Sequence, residues 1–446
     1  MQLELNSIKE FRKDFESSDK NIVAMNAASN GSLNSVALNR NHYVQSMNRI
    51  FSNEIKTRGI TNQKKSGRCW MFAGLNVLRE SIADKLNVES FELSQSYQMF
   101  WDKLEKANYF LESIIETAKE DLHGRLVMWL LSKPVEDGGQ WGMFVDLVEK
   151  YGVLPKDLMD ESFQTSESAT MNRLLDTKLR EDAMVLRDMI DSGKSPKEVQ
   201  KKKVEMLNEI YRMLSINIGL PPEKFDYEYK DKDGNFHRVE KITPVEFYKE
   251  FCGIDLENTV SVINCPTHDK EFMKTYTVKY LGNVVGGKGI LYLNLDMKEF
   301  KDLAKGRILE DDLVWFTADV GKMMEREKGA LDTEVYDFEN LYSTKFIFNK
   351  AQRLDYGNSL MTHAMVFTGV DIDENGNPMK WKVENSWGDQ IGDKGYFTMS
   401  DSWFDEYVYE IVVDQKYLSS KMKKALKEKP VILEPWDPMG SVAFTR

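Results

Sequence analysis

The stretch Gln63-Lys64-Lys65-Ser66-Gly67-Arg68-Cys69-Trp70 decides the reading of this chain. A thiol, Cys69, follows a side-chain amide, Gln63, within one short polar segment. From Cys69 onward Met71, Phe72, Leu75, Leu78, Ile82 and Leu86 recur at helical spacing, so Cys69 is expected to open a buried amphipathic helix. Only the thiolate of a cysteine attacks well, and a helix N-terminus carries partial positive charge that favours an anion. The position of Cys69 is therefore expected to lower its pKa.

Two later stretches complete the chemistry. His363 stands in Met361-Thr362-His363-Ala364-Met365, and Asn385 opens Asn385-Ser386-Trp387-Gly388. An imidazole that takes the thiol proton makes the nucleophile, and an amide oxygen on its far nitrogen holds the useful tautomer. Gln63 and the backbone N–H of Cys69 are then candidate donors to the oxyanion of a tetrahedral intermediate. Singly, each residue has a plainer explanation: free cysteines are among the most buried residues, and a histidine between apolar neighbours is usually a core group. The conjunction of Cys69, His363 and Asn385 in that order, with Gln63 just upstream, points to a cysteine peptidase.

These residues resemble the papain clan, and within it the bleomycin hydrolase/aminopeptidase C family. Three further segments are similar to that family: Asp137-Gly138-Gly139-Gln140-Trp141, Tyr280-Leu281-Gly282-Asn283-Val284-Val285-Gly286-Gly287, and Glu434-Pro435-Trp436-Asp437-Pro438-Met439-Gly440. The resemblance implies an α+β, papain-like fold: a helical domain, an antiparallel β-barrel-like domain, a helical insertion and an extended C-terminal arm. It implies substrate-lining roles for Gly138 and Gly139, and a homohexamer. It also implies that the arm lies in its own cleft and limits cleavage to N-terminal residues. Family members commonly end near a position matching Ala443, which makes Ala443 a substrate-binding candidate. This chain continues through Phe444-Thr445-Arg446, so trimming to Ala443 is expected.

Composition narrows the alternatives. The 446 residues carry a net charge of −12, which argues against a nucleic-acid-binding face. Three cysteines without a close pair do not make a disulfide framework. The N-terminus lacks a basic start with an apolar run, and no stretch approaches a membrane span of about 20 apolar residues. A cytoplasmic, reducing setting is expected. Asp371-Ile372-Asp373-Glu374-Asn375-Gly376 mimics the opening of a calcium loop, but Lys382 stands where the bidentate glutamate belongs, so it reads as a hairpin turn. No metal site or cofactor is expected, and peptides are the expected partners.

His363 lies 294 positions after Cys69. A compact papain-like enzyme has about 130 to 150 there, so the excess must be inserted structure. The expected division is a lead-in over 1–60, a helical subdomain with the nucleophile over 61–160, inserted helices and a hairpin over 161–245, a β-rich subdomain with His363 and Asn385 over 246–415, and a terminal helix and arm over 416–446. Within these, a helix is expected near Ser7 to Phe15, a loop over Asn26 to Ser32, and a basic helix over Ser419 to Lys429. Two other readings stay open: an endopeptidase with the same residues and a displaced tail, and a binding or scaffold protein without activity.

Overall fold

The structure, a computed structural model, describes residues 2–441. The helix that begins at the thiol runs Cys69–Leu86 and ends where Asn87 adopts the left-handed conformation (φ 56°, ψ 45°) that asparagine tolerates. It is buried on nearly all sides rather than along one stripe, because helices cover one flank and a sheet the other. Its polar residues are therefore satisfied inside. Asn76 and Arg79 donate to the Glu384 carboxylate at 3.0 and 3.1 Å, tying this helix to the strand that ends at Glu384.

Helices Gln95–Glu116 and Trp141–Tyr151 pack beside it. The expected insertion is a pair of long helices, Ala169–Asp191 and Pro196–Ile218, followed by a separate hairpin of Phe225–Lys230 with Phe236–Ile242. Leu175, Leu179, Leu186, Met206, Ile210 and Leu214 form the buried stripes by which the pair joins the helical core.

The remaining strands form one large sheet. Its centre is antiparallel: Thr259–Ile263, Val408–Asp414, Val314–Ala318, His363–Ile372, Pro378–Glu384 and Tyr396–Ser400 lie side by side in that order. The flanks correct the expectation of an antiparallel sheet. Tyr292–Asn294 pairs parallel with Thr259–Ile263, Val431–Leu433 with Lys274–Val278, and Ala330–Leu331 with Tyr396–Ser400, so the sheet is mixed. These flanking strands are two or three residues long, too short for a pairing direction to be read from residue pattern.

Alternation along Val314–Ala318 separates two cores. Trp315 faces the helices, 5.5 Å from Trp141, while Phe316 stacks on Phe367 at 3.7 Å on the other face. Residues 373–377 form the turn between His363–Ile372 and Pro378–Glu384, as expected of a hairpin.

Two local expectations fail. Asn26 to Ser32 is not a loop: a helix spans Asp19–Asn30. The Asn and Ser side chains that signal a turn bond back onto the helix instead, Ser29 Oγ to Met25 O at 2.7 Å and Asn30 Nδ2 to Asn26 O at 2.8 Å. The C-terminal helix is shorter than expected, Ser420–Ala425, as five lysines crowd the segment before Pro430 disfavours further helix.

Candidate active site

The seam between the helical core and the sheet brings together what the sequence holds 294 positions apart. Cys69 is the first residue of its helix, and His363 is the first residue of the central strand His363–Ile372. The Sγ of Cys69 accepts a hydrogen bond from the N–H of Ala364 at 3.4 Å, which sets the thiol against the backbone beside the imidazole. Asn385 follows directly on the neighbouring strand, and its Oδ1 lies 2.8 Å from His363 Nε2.

The amide orientation is fixed by the backbone. The N–H of Ser386 donates to Asn385 Oδ1 at 2.8 Å, so that atom is an acceptor and His363 Nε2 must be the donor. The neutral imidazole then carries its lone pair on Nδ1, the nitrogen left to take a proton. Sequence reasoning placed Asn385 but missed this role of Ser386. Trp387 packs on the imidazole with ring centres 4.8 Å apart and shields the His363–Asn385 bond from water.

Gln63 is oriented in the same way. Its Nε2 donates to Ser66 O at 2.7 Å and its Oε1 accepts from Ser386 Oγ at 2.6 Å. A carbonyl can only accept, so the amide cannot be flipped, and one N–H of Nε2 has no partner among the described residues. Ser66 Oγ in turn bonds Gln63 O and receives Arg68 Nε, and Arg68 pairs with Glu161 through both nitrogens.

Burial sets the proton positions against the expected lowering of the Cys69 pKa. Loss of water pushes the thiol up to about 12, although the N–H groups of Ala364, Trp70 and Cys69 itself pull it down. Loss of water likewise pushes His363 down to about 4, opposed by its bond to Asn385 and aided by the charge of Arg326. The helix terminus is real, but desolvation outweighs it. Both shifts favour the uncharged forms, and the backbone N–H groups around Sγ and the bond from His363 to Asn385 work against them.

A charged cluster, unread in the sequence, holds the cleft wall. Asp137 is buried and accepts from Gly67 N at 2.9 Å, Asn172 Nδ2 at 2.7 Å and Ser168 Oγ at 2.5 Å, and pairs with the buried Lys103 at 2.7 Å. Burial alone would raise its carboxyl, but Lys103 and these donors hold it well below the usual carboxylate range. Its carbonyl takes Trp70 Nε1 at 2.7 Å. Asp137 thus joins the loop before Cys69 to the Gly138-Gly139 wall. Lys106 Nζ bonds Gly138 O at 2.6 Å, and Gly139 is required because a Cβ there would come within 2.5 Å of the Trp70 ring.

The arm reaches this wall. After pairing over Val431–Leu433 it places Trp436 under the guanidinium of Arg125 at 3.9 Å and anchors Asp437 on Lys270 at 2.9 Å. Met439 is fully buried, with its carbonyl on Tyr292 OH at 3.1 Å. Ser441 then touches both sides of the cleft: its carbonyl accepts from Gln140 Nε2 at 2.5 Å and its Oγ donates to Met361 O, two residues before His363, at 2.9 Å. A cavity of 560 Å³ between Gly138, Tyr109, Leu354 and Trp436 remains beside the arm. Ala443 lies outside the described residues. Cys252 and Cys265 are unpaired and remote in role.

Comparison with known proteins agrees with this geometry. Residues 2–440 match the model of the Peptidase C1-like family. Aminopeptidase C of Streptococcus thermophilus is 48% identical over 431 residues, 96% of each chain. Human bleomycin hydrolase is 43% identical over 431 residues, 95% of this chain and 94% of its own. The crystal structure of PepW from Lactobacillus rhamnosis superposes with a TM-score of 0.97 at 46% identity and covers 99% of both chains. A full-length match of this kind, with a thiol at a helix start beside an imidazole held by an amide, leaves one assignment: the chain belongs to the Peptidase C1-like family.

Proposed function

We propose that this chain is a cysteine aminopeptidase that removes N-terminal residues from peptides, with Cys69 as nucleophile, His363 as base and then acid, Asn385 as its orienting partner and Gln63 as oxyanion donor. The reaction needs no cofactor. His363 Nδ1 takes the Cys69 proton as Sγ bonds to the scissile carbonyl carbon, and the carbonyl electron pair moves onto oxygen. That oxygen is met by Gln63 Nε2 and the Cys69 N–H. The C–N bond then breaks as the imidazolium gives its proton to the leaving amine, and a thioester remains on Cys69. Water attacks the thioester with His363 taking its proton, the C–S bond breaks, and the thiol is restored.

The observation that carries the exopeptidase reading is Ser441, bonded to Gln140 on one wall and Met361 on the other. In this reading, a chain segment that bridges the two walls limits how many substrate residues can precede the scissile bond. Full-length relatives named aminopeptidase C support the same reading. The test compares a fluorogenic aminoacyl amide with its N-acetylated twin, with Cys69→Ala as control. Cleavage of the free amine alone is expected, and equal cleavage of both would make the protein an endopeptidase.

The finer domain division follows from the same reading: 61–160 and 246–415 build the cleft, 161–245 is the insertion and 416–446 the arm. A homohexamer fits the resemblance and the apolar side chains of Phe346, Ile347 and Phe348, exposed on one loop. Light scattering of the purified protein should return six chain masses; one chain mass at micromolar concentration would remove that proposal. A cytoplasmic setting is supported by three unpaired cysteines.

A further inference from the structure

Beside His363 another cavity of 370 Å³ opens, bounded by Gln63, His363 and Trp387, with no residue of the arm in its lining. His363 must hand its proton to the leaving amine, so the leaving fragment passes over this imidazole and into this cavity. Its rim carries three cations, Lys64, Lys322 and Arg326. Among the described residues none of the three has a carboxylate within ion-pair distance. The one acid in the wall, Asp319, is buried and accepts from Ser359 Oγ at 2.8 Å and Thr362 Oγ1 at 3.3 Å, and it feels the charge of Lys322 without forming an ion pair with it. A protein of net charge −12 thus sets three cations against one buried acid where the leaving fragment exits.

Arg326 is placed to read that fragment. Its guanidinium lies 4.7 Å over the Trp387 ring, whose centre is 4.8 Å from that of His363. The guanidinium is therefore within two ring spacings of the imidazole, a gap an extended chain crosses in one to three residues at about 3.4 Å each. Stacking on the indole holds the planar fork in place, with its N–H edge free for a carboxylate.

We propose that Arg326, with Lys64 and Lys322, forms a carboxylate-binding subsite for the leaving fragment, so that the enzyme favours short peptides carrying a carboxylate within the first residues after the scissile bond. This rests on the peptidase reading of the same cleft. The carboxylate can be the C-terminus of a di- or tripeptide or an acidic side chain, and both present the same chemistry to the fork.

The experiment measures kcat/KM for Ala-Ala-Ala, Ala-Ala-Ala-amide and Ala-Asp-Ala-amide with wild type, R326M and R326K. For wild type, the free acid is expected to exceed the amide by about five-fold, mostly through KM, as fits a rim charge focused by two neighbours. An advantage for Ala-Asp-Ala-amide over Ala-Ala-Ala-amide shows that a side-chain carboxylate is also read. In R326M the acid-to-amide ratio should fall toward one, and R326K should recover part of it. Adding salt to about 0.5 M should shrink the wild-type ratio without any mutation. The ratio is the readout because it cancels losses that any change near Trp387 causes in overall rate. A wild-type ratio of one for both carboxylate substrates, or a ratio unchanged in R326M, overturns the subsite. Failure to cleave any free-amine peptide overturns the aminopeptidase reading as well.

Discussion

Cys69→Ala is expected to lower kcat/KM on peptide substrates by about 10⁵-fold, because no other group in the cleft can form the thioester. His363→Ala should cost about as much, and the double variant little more, since nucleophile and base act as one unit. Asn385→Ala should be milder by about 10²-fold, because it removes the orienting bond to Nε2 and leaves the imidazole in place. The same pair fixes the pH dependence. Burial holds His363 down to about 4 and Cys69 up to about 12, so a single proton is shared between them across the whole neutral range. Activity is lost when a second proton binds, as pH falls through the lowered imidazole value rather than through the ordinary His value of about 6.5. The acid limb of kcat/KM, measured on a substrate that does not titrate below pH 7, should lie well below that ordinary value. A limb at or above it would show that His363 is hydrated and that the cleft is open to water. Burial of both groups predicts little thiolate in the resting enzyme, which far-ultraviolet absorbance measures.

The local strings around Cys69, His363 and Asn385 were legible because each bears its own signal: helical spacing after the thiol, an apolar strand after the imidazole, a turn after the amide. The residues that hold these groups in register were not. Lys103 and Lys106 stand on a helix whose charges suggest a solvated face, yet both are buried, one on Asp137 and one on Asp102. Arg79 and Glu384 pair across 305 positions to fasten the nucleophile helix to the strand that delivers Asn385. Such pairings exist only once the chain has folded, and no periodicity announces them. They matter energetically, since breaking a buried pair by removing one partner costs about 3–5 kcal/mol. Asp137 shows why a glycine signature can mislead by omission: Gly138 and Gly139 mark the wall, but the carboxylate before them locks that wall to the loop of Gly67. The parallel flanks of the sheet were hidden for another reason. A three-residue strand such as Tyr292–Asn294 has too little pattern to show its direction, which its neighbours decide.

Ending the chain after Leu433 is expected to turn the enzyme toward endopeptidase activity. The arm beyond that point contributes Trp436 on Arg125, Asp437 on Lys270, and Ser441 across the cleft between Gln140 and Met361. Ser441 bridges the two walls at Gln140 and Met361, so removing it is expected to admit residues before the scissile bond. Discrimination between a free amine and its N-acetylated twin is a difference of binding free energies, and loss of about 3 kcal/mol of it shifts the ratio of their kcat/KM by about 10²-fold. The rise should come from the N-acetylated substrate, since the catalytic groups are untouched. Met439 is a core residue, so the shortened chain also loses packing worth about 2–5 kcal/mol and should melt earlier. A second variant separates these effects. Ending the chain after Ser441 keeps Met439, Asp437 and the two wall contacts, so its melting temperature should match wild type while the block at Ser441 persists. N-acetylated substrate should then stay uncleaved by this variant and be cleaved by the shorter one. If both variants retain full discrimination, the arm does not set the register, and the preference for a free amine must reside in the cleft wall itself, where Lys106 on Gly138 O and the 560 Å³ cavity beside it become the groups to alter.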